Sequence, residues 1–313
     1  MARSVNPDSR ERTVLGYQGQ GKLEEGMGSD LKDFPEAQEV YDEADQAAAP
    51  LLLGRKISEI CFNGSMEDLL EHAQLAKFVV SAAATAVLLN RVKKRPFGVT
   101  GHSLGEYGAL LASGVFTLKN GVVLVHERQK AMDAANAEIP GGGGMVGVTG
   151  LDEDGLMAVA SQLDIDVAAI NTSTSGTLSG PRTAIEEVPV YLEDQRGVRV
   201  TPLGIKGAAH SRWNALAAQI MSPIMDDIEF KRPDFWFFAD NGKVIMIPDE
   251  IRHHLLNMFG DPVRFRDISV EMARAKVKVF TEVGRDKLLG RFVSRTVDDQ
   301  IKTETLDDIL GDK

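Results

Sequence analysis

Residues 101–105 read Gly-His-Ser-Leu-Gly, a G-x-S-x-G pattern. That spacing suits a sharp strand-to-helix turn, with glycines letting neighbouring backbone come close and the serine held exposed in a strained conformation. Ser103 would then sit at a helix N-terminus, where the N–H of Leu104 can donate to a developing oxyanion. Five-residue glycine patterns also arise by chance, and a glycine-flanked serine can serve only as a helix N-cap. A nucleophilic serine needs a base. Six histidines are available, at 72, 102, 126, 210, 253 and 254. His102 would have to fold back. His72 and His126 fall within helical patterns as surface or core-edge residues. His253 and His254 fall in a mostly polar helix and are expected to be solvated. His210 follows Gly-Ala-Ala at a loop-to-helix junction with room for a ligand. The residues alone leave the choice open, with His210 best placed.

The elements around Ser103 fit the turn. "PFGVT" (96–100) reads as a short buried strand, Leu104–Ser113 as a helix that Gly114 can close, and 118–137 as a second helix. Upstream, "TVLGYQGQG" (13–21) reads as a strand entering a glycine loop. Ser65 with Asp68 opens one long core helix, 65–90, ended by the basic "RVKKR". Its apolar run, 78–89, is too short to span a bilayer. "PGGGG" (140–144) breaks the chain, and 145–203 follows with a β-α-β-β-α-β order, a ferredoxin-like arrangement. In it, Pro189 is expected to bend or end the second helix. Beyond lie a helix over 212–225, a hairpin around Asn241-Gly242, helices near 249–259 and 266–274, a strand at "KVFTEVG" and a helix over 286–296. Residues 1–12 read as a loose polar tail, and "TETLDDILGDK" as a weak helix or tail.

With 313 residues the chain can bury a full core, as one large domain with an insertion or two modest domains. A net charge of −11 argues against nucleic-acid or anionic-membrane binding. The single cysteine, Cys61, cannot form an internal disulfide, and no paired cysteines suggest a metal. "MARSVNPDSRERTV" lacks the apolar core of a secretory signal, so a cytoplasmic setting is expected. No metal or prosthetic group is indicated.

"GHSLGEYGALLASGVF" closely resembles the nucleophile segment of malonyl-CoA:acyl-carrier-protein transacylases, a family that includes polyketide synthase acyltransferase domains. The resemblance extends over about 13–296. "GYQGQG" is similar to the family's PGQGSQ, "AQLAKFVVSAA" to its TQPA helix and "GGMVGVTGL" to GAMAAVLGL. "INTSTSGTLSG" resembles NSPGQVVISG, and "AAHSRWNALA" the histidine segment. "DPVRFRDISVEM" and "EVGRDKLLGRFVSRT" resemble the closing segments. The fold this implies is α/β: a large α/β-hydrolase-like domain (1–138 and 206–313) with an inserted ferredoxin-like subdomain (139–205).

The chemistry implied is ping-pong. Ser103 takes a malonyl group from coenzyme A with His210 as base, and the phosphopantetheine thiol of an acyl carrier protein collects it. The family orients its histidine with a backbone carbonyl, and Met258 stands at that position where Gln or Asn is usual. The oxyanion hole would be the N–H groups of Gln20 and Leu104. Arg128 lies where the family carries its substrate arginine, suited to clamp a carboxylate with two parallel hydrogen bonds. Without the resemblance it would read as an exposed helix arginine. Gln74 would line the pocket. Ala209, before the histidine, stands where side-chain selectivity is tracked. It could leave room for a branched extender, or another side chain could fill the space. Several motif positions depart from the family, among them Lys22, Leu23, Leu75 and Arg285.

The resemblance implies an acidic carrier protein and a coenzyme A thioester as partners, and a monomer is expected. Basic clusters at Lys287, Arg291 and Arg295, and at Arg91, Lys93, Lys94 and Arg95, are docking candidates or simply solvated faces. Two other readings stay open: an acyl hydrolase of the same fold, and an inactive docking or scaffold protein.

Overall fold

The computed structural model describes residues 12–311. In chain order the elements begin with strand β1 (Thr13–Tyr17) and helices α1 (Pro35–Ala48), α2 (Ile57–Asn63), α3 (Met66–Glu71) and α4 (Ala73–Val92). Strand β2 (Gly98–Gly101) and helices α5 (Gly105–Ala112) and α6 (Leu118–Ala137) follow. The middle of the chain forms β3 (Gly143–Thr149), α7 (Glu153–Gln162), β4 (Asp166–Thr172), β5 (Ser175–Pro181), α8 (Arg182–Tyr191) and β6 (Arg199–Pro202). Next come α9 (Ala215–Asp226), β7 (Trp236–Phe238), β8 (Val244–Ile245), α10 (Pro248–Asn257) and α11 (Phe265–Arg274). The last elements are β9 (Val279–Glu282), α12 (Leu288–Val297), β10 (Lys302–Thr305) and α13 (Leu306–Leu310).

Two sheets organise these elements. The larger has the order β10-β9-β1-β2-β7-β8, parallel except for the last pair. Side chains alternate across a strand, so β1 serves two cores. Leu15 and Tyr17 join the cluster built with α1, α4, α5, α6 and α9, whereas Val14 packs with Phe265, Phe280 and Val293 on the other face. Burial on both faces is what a parallel sheet requires. The smaller sheet is antiparallel, in the order β4-β5-β3-β6, and packs α7 and α8 over its own core. A parallel bridge between Ala169 and Val263 ties it to the chain after α10.

The 65–90 helix expected from the sequence is two helices. The Ser65–Asp68 capping box starts α3, but His72 leaves helical geometry at φ −119°, ψ 28°. Gln129 of α6 takes over at the break. Its Oε1 accepts the Gln74 N–H at 2.9 Å, and its Nε2 donates to the carbonyls of Glu71 and Leu70 at 2.7 and 3.3 Å. Helix ends leave such groups without intrahelical partners, so one long-range side chain permits the break. Helix α4 is long and apolar, yet most of it is buried in the core rather than facing outward.

Most of the 1–12 tail lies outside the described residues. Arg12 itself is fixed, donating to the Ala275 carbonyl at 2.5 Å and stacking over Phe97. The C-terminal stretch read as a weak helix or tail begins as an edge strand, β10, which runs into α13 through a second capping box at Thr305 and Asp308. Pro189 lies inside α8, within three residues of its end at Tyr191. The Asn241-Gly242 hairpin forms between β7 and β8, with Gly242 at φ 80°.

Helix α5 lies almost on the backbone of β1. A Cβ at Gly105 would stand 2.0 Å from the Tyr17 carbonyl oxygen, and backbone cannot yield as a flexible side chain can. Gly105→Ala is therefore expected to cost about 2 kcal/mol or more of stability. Urea unfolding checks this, and a midpoint equal to wild type would contradict it.

Candidate active site

Strand β2 ends at Gly101, and the chain turns into α5 through Ser103, whose φ is 56°. A non-glycine residue in that region is strained by roughly 1–3 kcal/mol unless its surroundings hold it. They do here. The His102 N–H donates to the Tyr17 carbonyl at 2.9 Å, and the Glu106 N–H to the Ser103 carbonyl at 3.0 Å. A Cβ at Gly101 would meet the Glu106 nitrogen at 2.1 Å, so this turn closes only with glycine there.

His210 lies 107 residues further on and faces the serine, its Nε2 2.7 Å from Ser103 Oγ. It too has positive φ, 55°, in a turn braced by Ser211 Oγ donating to the Ala208 carbonyl at 2.6 Å. The carbonyl 3.1 Å from His210 Nδ1 belongs to Asp261, not to Met258. Met258 closes α10 with helical dihedrals, and the chain turns once more, through Gly260, before a carbonyl reaches the imidazole. Nδ1–H donating to that carbonyl leaves a lone pair on Nε2 to take the serine proton. Burial, the largest influence, lowers the His210 pKa to about 4, with Asp240 opposing it and Arg128 adding to it. The imidazole is thus neutral, as a base must be.

Arg128 is not the exposed helix residue its sequence neighbours suggested. It is 3% exposed. Its Nη2 donates to Ser103 Oγ at 3.1 Å and its Nη1 to Gln74 Oε1, while Nε has no partner among the described residues. No described ion pair includes it. Burial lowers its pKa, with Tyr107 and Asp240 opposing, yet a guanidinium stays charged. A buried cation that lines the cavity beside a serine, with no described ion pair, is suited to bind an anionic group of a ligand. Gln74, its partner, lies two residues past the break at His72.

These groups line a cavity of about 480 Å³ between the two sheets, shared by Gln20, Gln74, Ser103, Leu104, Arg128 and His210. The N–H groups of Gln20 and Leu104 have no hydrogen-bond partner among the described residues. The Gln20 loop is held through Gln18, whose amide bonds Glu282. Glu282 in turn accepts the N–H groups of Leu289 and Gly290 at the start of α12. Ala209 packs with Met145 and Ala168, and Met132 and Ile205 close around them. The space beside Ala209 is therefore lined by methionines from elsewhere in the chain. His102 turns to β4, 3.1 Å from Asn171 Oδ1.

His254 is not solvated. It lies buried with its Nε2 2.8 Å from Glu106 Oε2 and 3.3 Å from Asp240 Oδ1, while Asn241 Nδ2 faces its Nδ1 at 3.1 Å. Burial and then the Asp240 charge raise the Glu106 carboxyl to about 7, against His254. Asp240 is lowered: burial alone would raise it, but His254, His210 and His102 outweigh that. Burial would lower His254, but the two carboxylates hold it well above the usual range. The three titrate as a unit. Their ligand atoms all lie within 4.8 Å, as a metal would need. However, Asn241 spends its oxygen on the Lys243 N–H at 3.0 Å and turns its nitrogen to Nδ1. Nε2 carries a proton both in the imidazolium that the carboxylates favour and in the neutral tautomer whose Nδ1 accepts from Asn241, so it donates to Glu106 rather than offering a metal a lone pair. His253, by contrast, is exposed. The polar setting of α10 hid the difference, which one residue of helical rotation decides.

The family model that matches, described as "Acyl transferase domain", covers residues 16–309. A polyketide biosynthesis protein, PksE, of Bacillus subtilis (strain 168) is 31% identical over 286 residues, 89% of this chain. The chain spans 36% of that relative's length. The malonyl CoA-acyl carrier protein transacylase of Bacillus subtilis (strain 168) is 28% identical, over 93% of this chain and 92% of its own. Among solved structures, an acyl-carrier-protein-S-malonyltransferase from Bartonella henselae superposes with a TM-score of 0.85 at 29% identity, covering 95% of this chain and 97% of its own. A malonyl-transacylase in complex with its type II PKS acyl-carrier protein gives 0.85 at 26% identity, covering 94% and 95%.

The buried, neutral His210 sets a pH expectation. A base must be unprotonated, so His210 is lost as a base only as the pH approaches its depressed pKa, well below the Glu106 carboxyl raised to about 7. The acid limb of kcat/KM for a reaction that uses His210 as its base is expected at about pH 4. A limb at the ordinary imidazole value of 6.5 that persists unchanged in Glu106→Gln would contradict the depressed value.

Proposed function

The chain belongs to the acyl transferase domain family and is an acyltransferase, and from that premise we propose that it moves a malonyl group from coenzyme A to the phosphopantetheine thiol of an acyl carrier protein. The observation that carries this reading is the buried Arg128, paired with no carboxylate among the described residues and donating to the serine. A guanidinium so placed is wasted on a plain acyl chain and suits an acyl group that ends in a carboxylate. The methionine lining beside Ala209 favours malonyl over a branched extender.

The reaction proceeds in two halves. With the malonyl carboxylate on Arg128 and Gln74, Ser103 Oγ attacks the thioester carbonyl as His210 Nε2 takes its proton. The N–H groups of Gln20 and Leu104 receive the oxyanion. Collapse breaks the C–S bond, His210 returns the proton to the departing coenzyme A thiolate, and a malonyl-serine ester remains. In the second half the carrier thiol gives its proton to His210 and attacks the ester, and Ser103 leaves with that proton. The Asp261 carbonyl, rather than a carboxylate, keeps the imidazole oriented throughout.

This reading takes the chain as an α/β-hydrolase-like domain, 1–138 and 206–313, carrying a ferredoxin-like subdomain, 139–205. The order of the antiparallel sheet supports the second part. For carrier docking, α12 is favoured. Arg291 is exposed on it and Arg295 lines the cavity, whereas Arg95 is paired with Asp234 and Arg91 lies over Phe34.

Intact-protein mass measurement after mixing with malonyl-CoA tests the function. A persistent malonyl adduct that Ser103→Ala abolishes is expected, and rapid release of free malonate without an adduct would favour hydrolysis. Arg128→Ala is expected to reduce malonyl acylation by about 100-fold or more while acetyl-CoA gains relative to it. Arg128→Lys should recover little. Equal losses for both donors would contradict the clamp. Arg291→Glu is expected to raise the KM for the carrier protein and leave acylation by malonyl-CoA unchanged, as a salt-sensitive docking contact should. An unchanged carrier KM would remove Arg291 from the docking surface.

A further inference from the structure

We propose that His254 is a positioning residue for acyl transfer, fixing through Glu106 and Asp240 the separation between the Ser103 turn and the carbonyl that orients His210. The proposal rests on the reading of Ser103 as nucleophile and His210 as base. Those two groups come from different parts of the chain, and their alignment depends on two backbone segments: the turn into α5, and residues 258–264, which present the Asp261 carbonyl.

Both ends of the second segment are tied to the first through Glu106. Glu106 lies in the first turn of α5, with its N–H on the Ser103 carbonyl. At one end, the Met258 N–H donates to the carbonyl of His254 at 2.9 Å, and the His254 ring reaches Glu106 at 2.8 Å. At the other, the Arg264 N–H donates to the Asp240 carbonyl at 2.6 Å, and the Asp240 N–H donates to Glu106 Oε1 at 2.6 Å. Within the segment, the N–H groups of Gly260 and Asp261 both go to the Asn257 carbonyl, at 3.0 and 2.9 Å. The Asp261 carbonyl is thus held between two anchors that meet on one carboxylate.

His254 is what lets that carboxylate serve. Glu106 is 0% exposed, and Asp240, also buried, has an Oδ2 with no partner among the described residues. Two carboxylates this close and this dry repel unless a donor stands between them. Nε2 faces both, and Asn241 pins the other side of the ring. An apolar residue in its place fills space without bridging the carboxylates. Stability is a poor readout of this, since apolar replacement of buried charged sets is often neutral. Alignment is the better one, because a displacement of roughly 1 Å costs about 100-fold in rate.

The test compares His254→Met, which fills the site, with His254→Gln, whose amide can present a donor near the position of Nε2. Single-turnover acylation of Ser103 by malonyl-CoA is followed by quenched intact-mass measurement, with near-ultraviolet circular dichroism to confirm folding. His254→Met is expected to slow acylation by about 10- to 100-fold with the half-saturating malonyl-CoA concentration unchanged, and His254→Gln to recover most of the rate. Wild-type rate in folded His254→Met would overturn the proposal, as would equal loss in both variants. If His254→Met does not fold, Asn241→Ala decides: slowed acylation supports the proposal and an unchanged rate overturns it. A wild-type protein that forms no malonyl adduct would overturn the functional reading, and this inference with it.

Discussion

Helix α5 approaches the first strand so closely that Gly105 takes the place of any side chain against the Tyr17 carbonyl. Much of the site follows from that contact. It presses the Ser103 turn onto the end of β1, so the loop after β1 and the turn after β2 emerge side by side. Other contributing segments leave the same sheet by the same edge: Asp240 follows β7, and Glu282 ends β9. Segments at the carboxyl ends of parallel strands converge there, the usual place for a site in such a sheet. Gln20, Ser103 and the Glu106 bracket are therefore neighbours by topology before any side chain chooses a partner.

Electrostatics then sort the groups. The cavity holds a buried guanidinium with no carboxylate partner among the described residues, beside an imidazole that burial keeps neutral. Behind it, Glu106 and Asp240 share His254. The negative charge of Asp240 is felt by His210, Arg128 and His102 alike. The transfer proposed for this site binds an anion and raises a transient cation on His210, and a fixed anion at a distance favours that cation. That arrangement supplies in part what a carboxylate bonded directly to the histidine would supply elsewhere.

The smaller sheet completes the site. Asn171 on β4 holds His102, and Met145 and Ala168 line the cavity beside Ala209. A bridge from Ala169 to Val263 joins it to the chain after α10, with flanking hydrogen bonds two residues from Asp261.

Much of this was legible in the chain itself, because it is local. Gly101 and Gly105 around Ser103 require a tight turn, periodicity marks α6 from Leu118 to Ala137, and the β-α-β-β-α-β order of 143–202 follows from alternation and turn residues. The family resemblance placed His210, Arg128, Gln74 and Gln20, which local pattern alone left open. What only the tertiary structure decided are the contacts whose partners lie far along the chain. Gln129 splits a helix that reads as continuous. The carbonyl on His210 is that of Asp261 because the turn after α10 runs three residues past Met258. His254 is buried and His253 exposed although both sit in the same polar helix. In each case the deciding energy is a hydrogen bond or a burial supplied across tens of residues or more, and sequence spacing carries no record of which groups will meet.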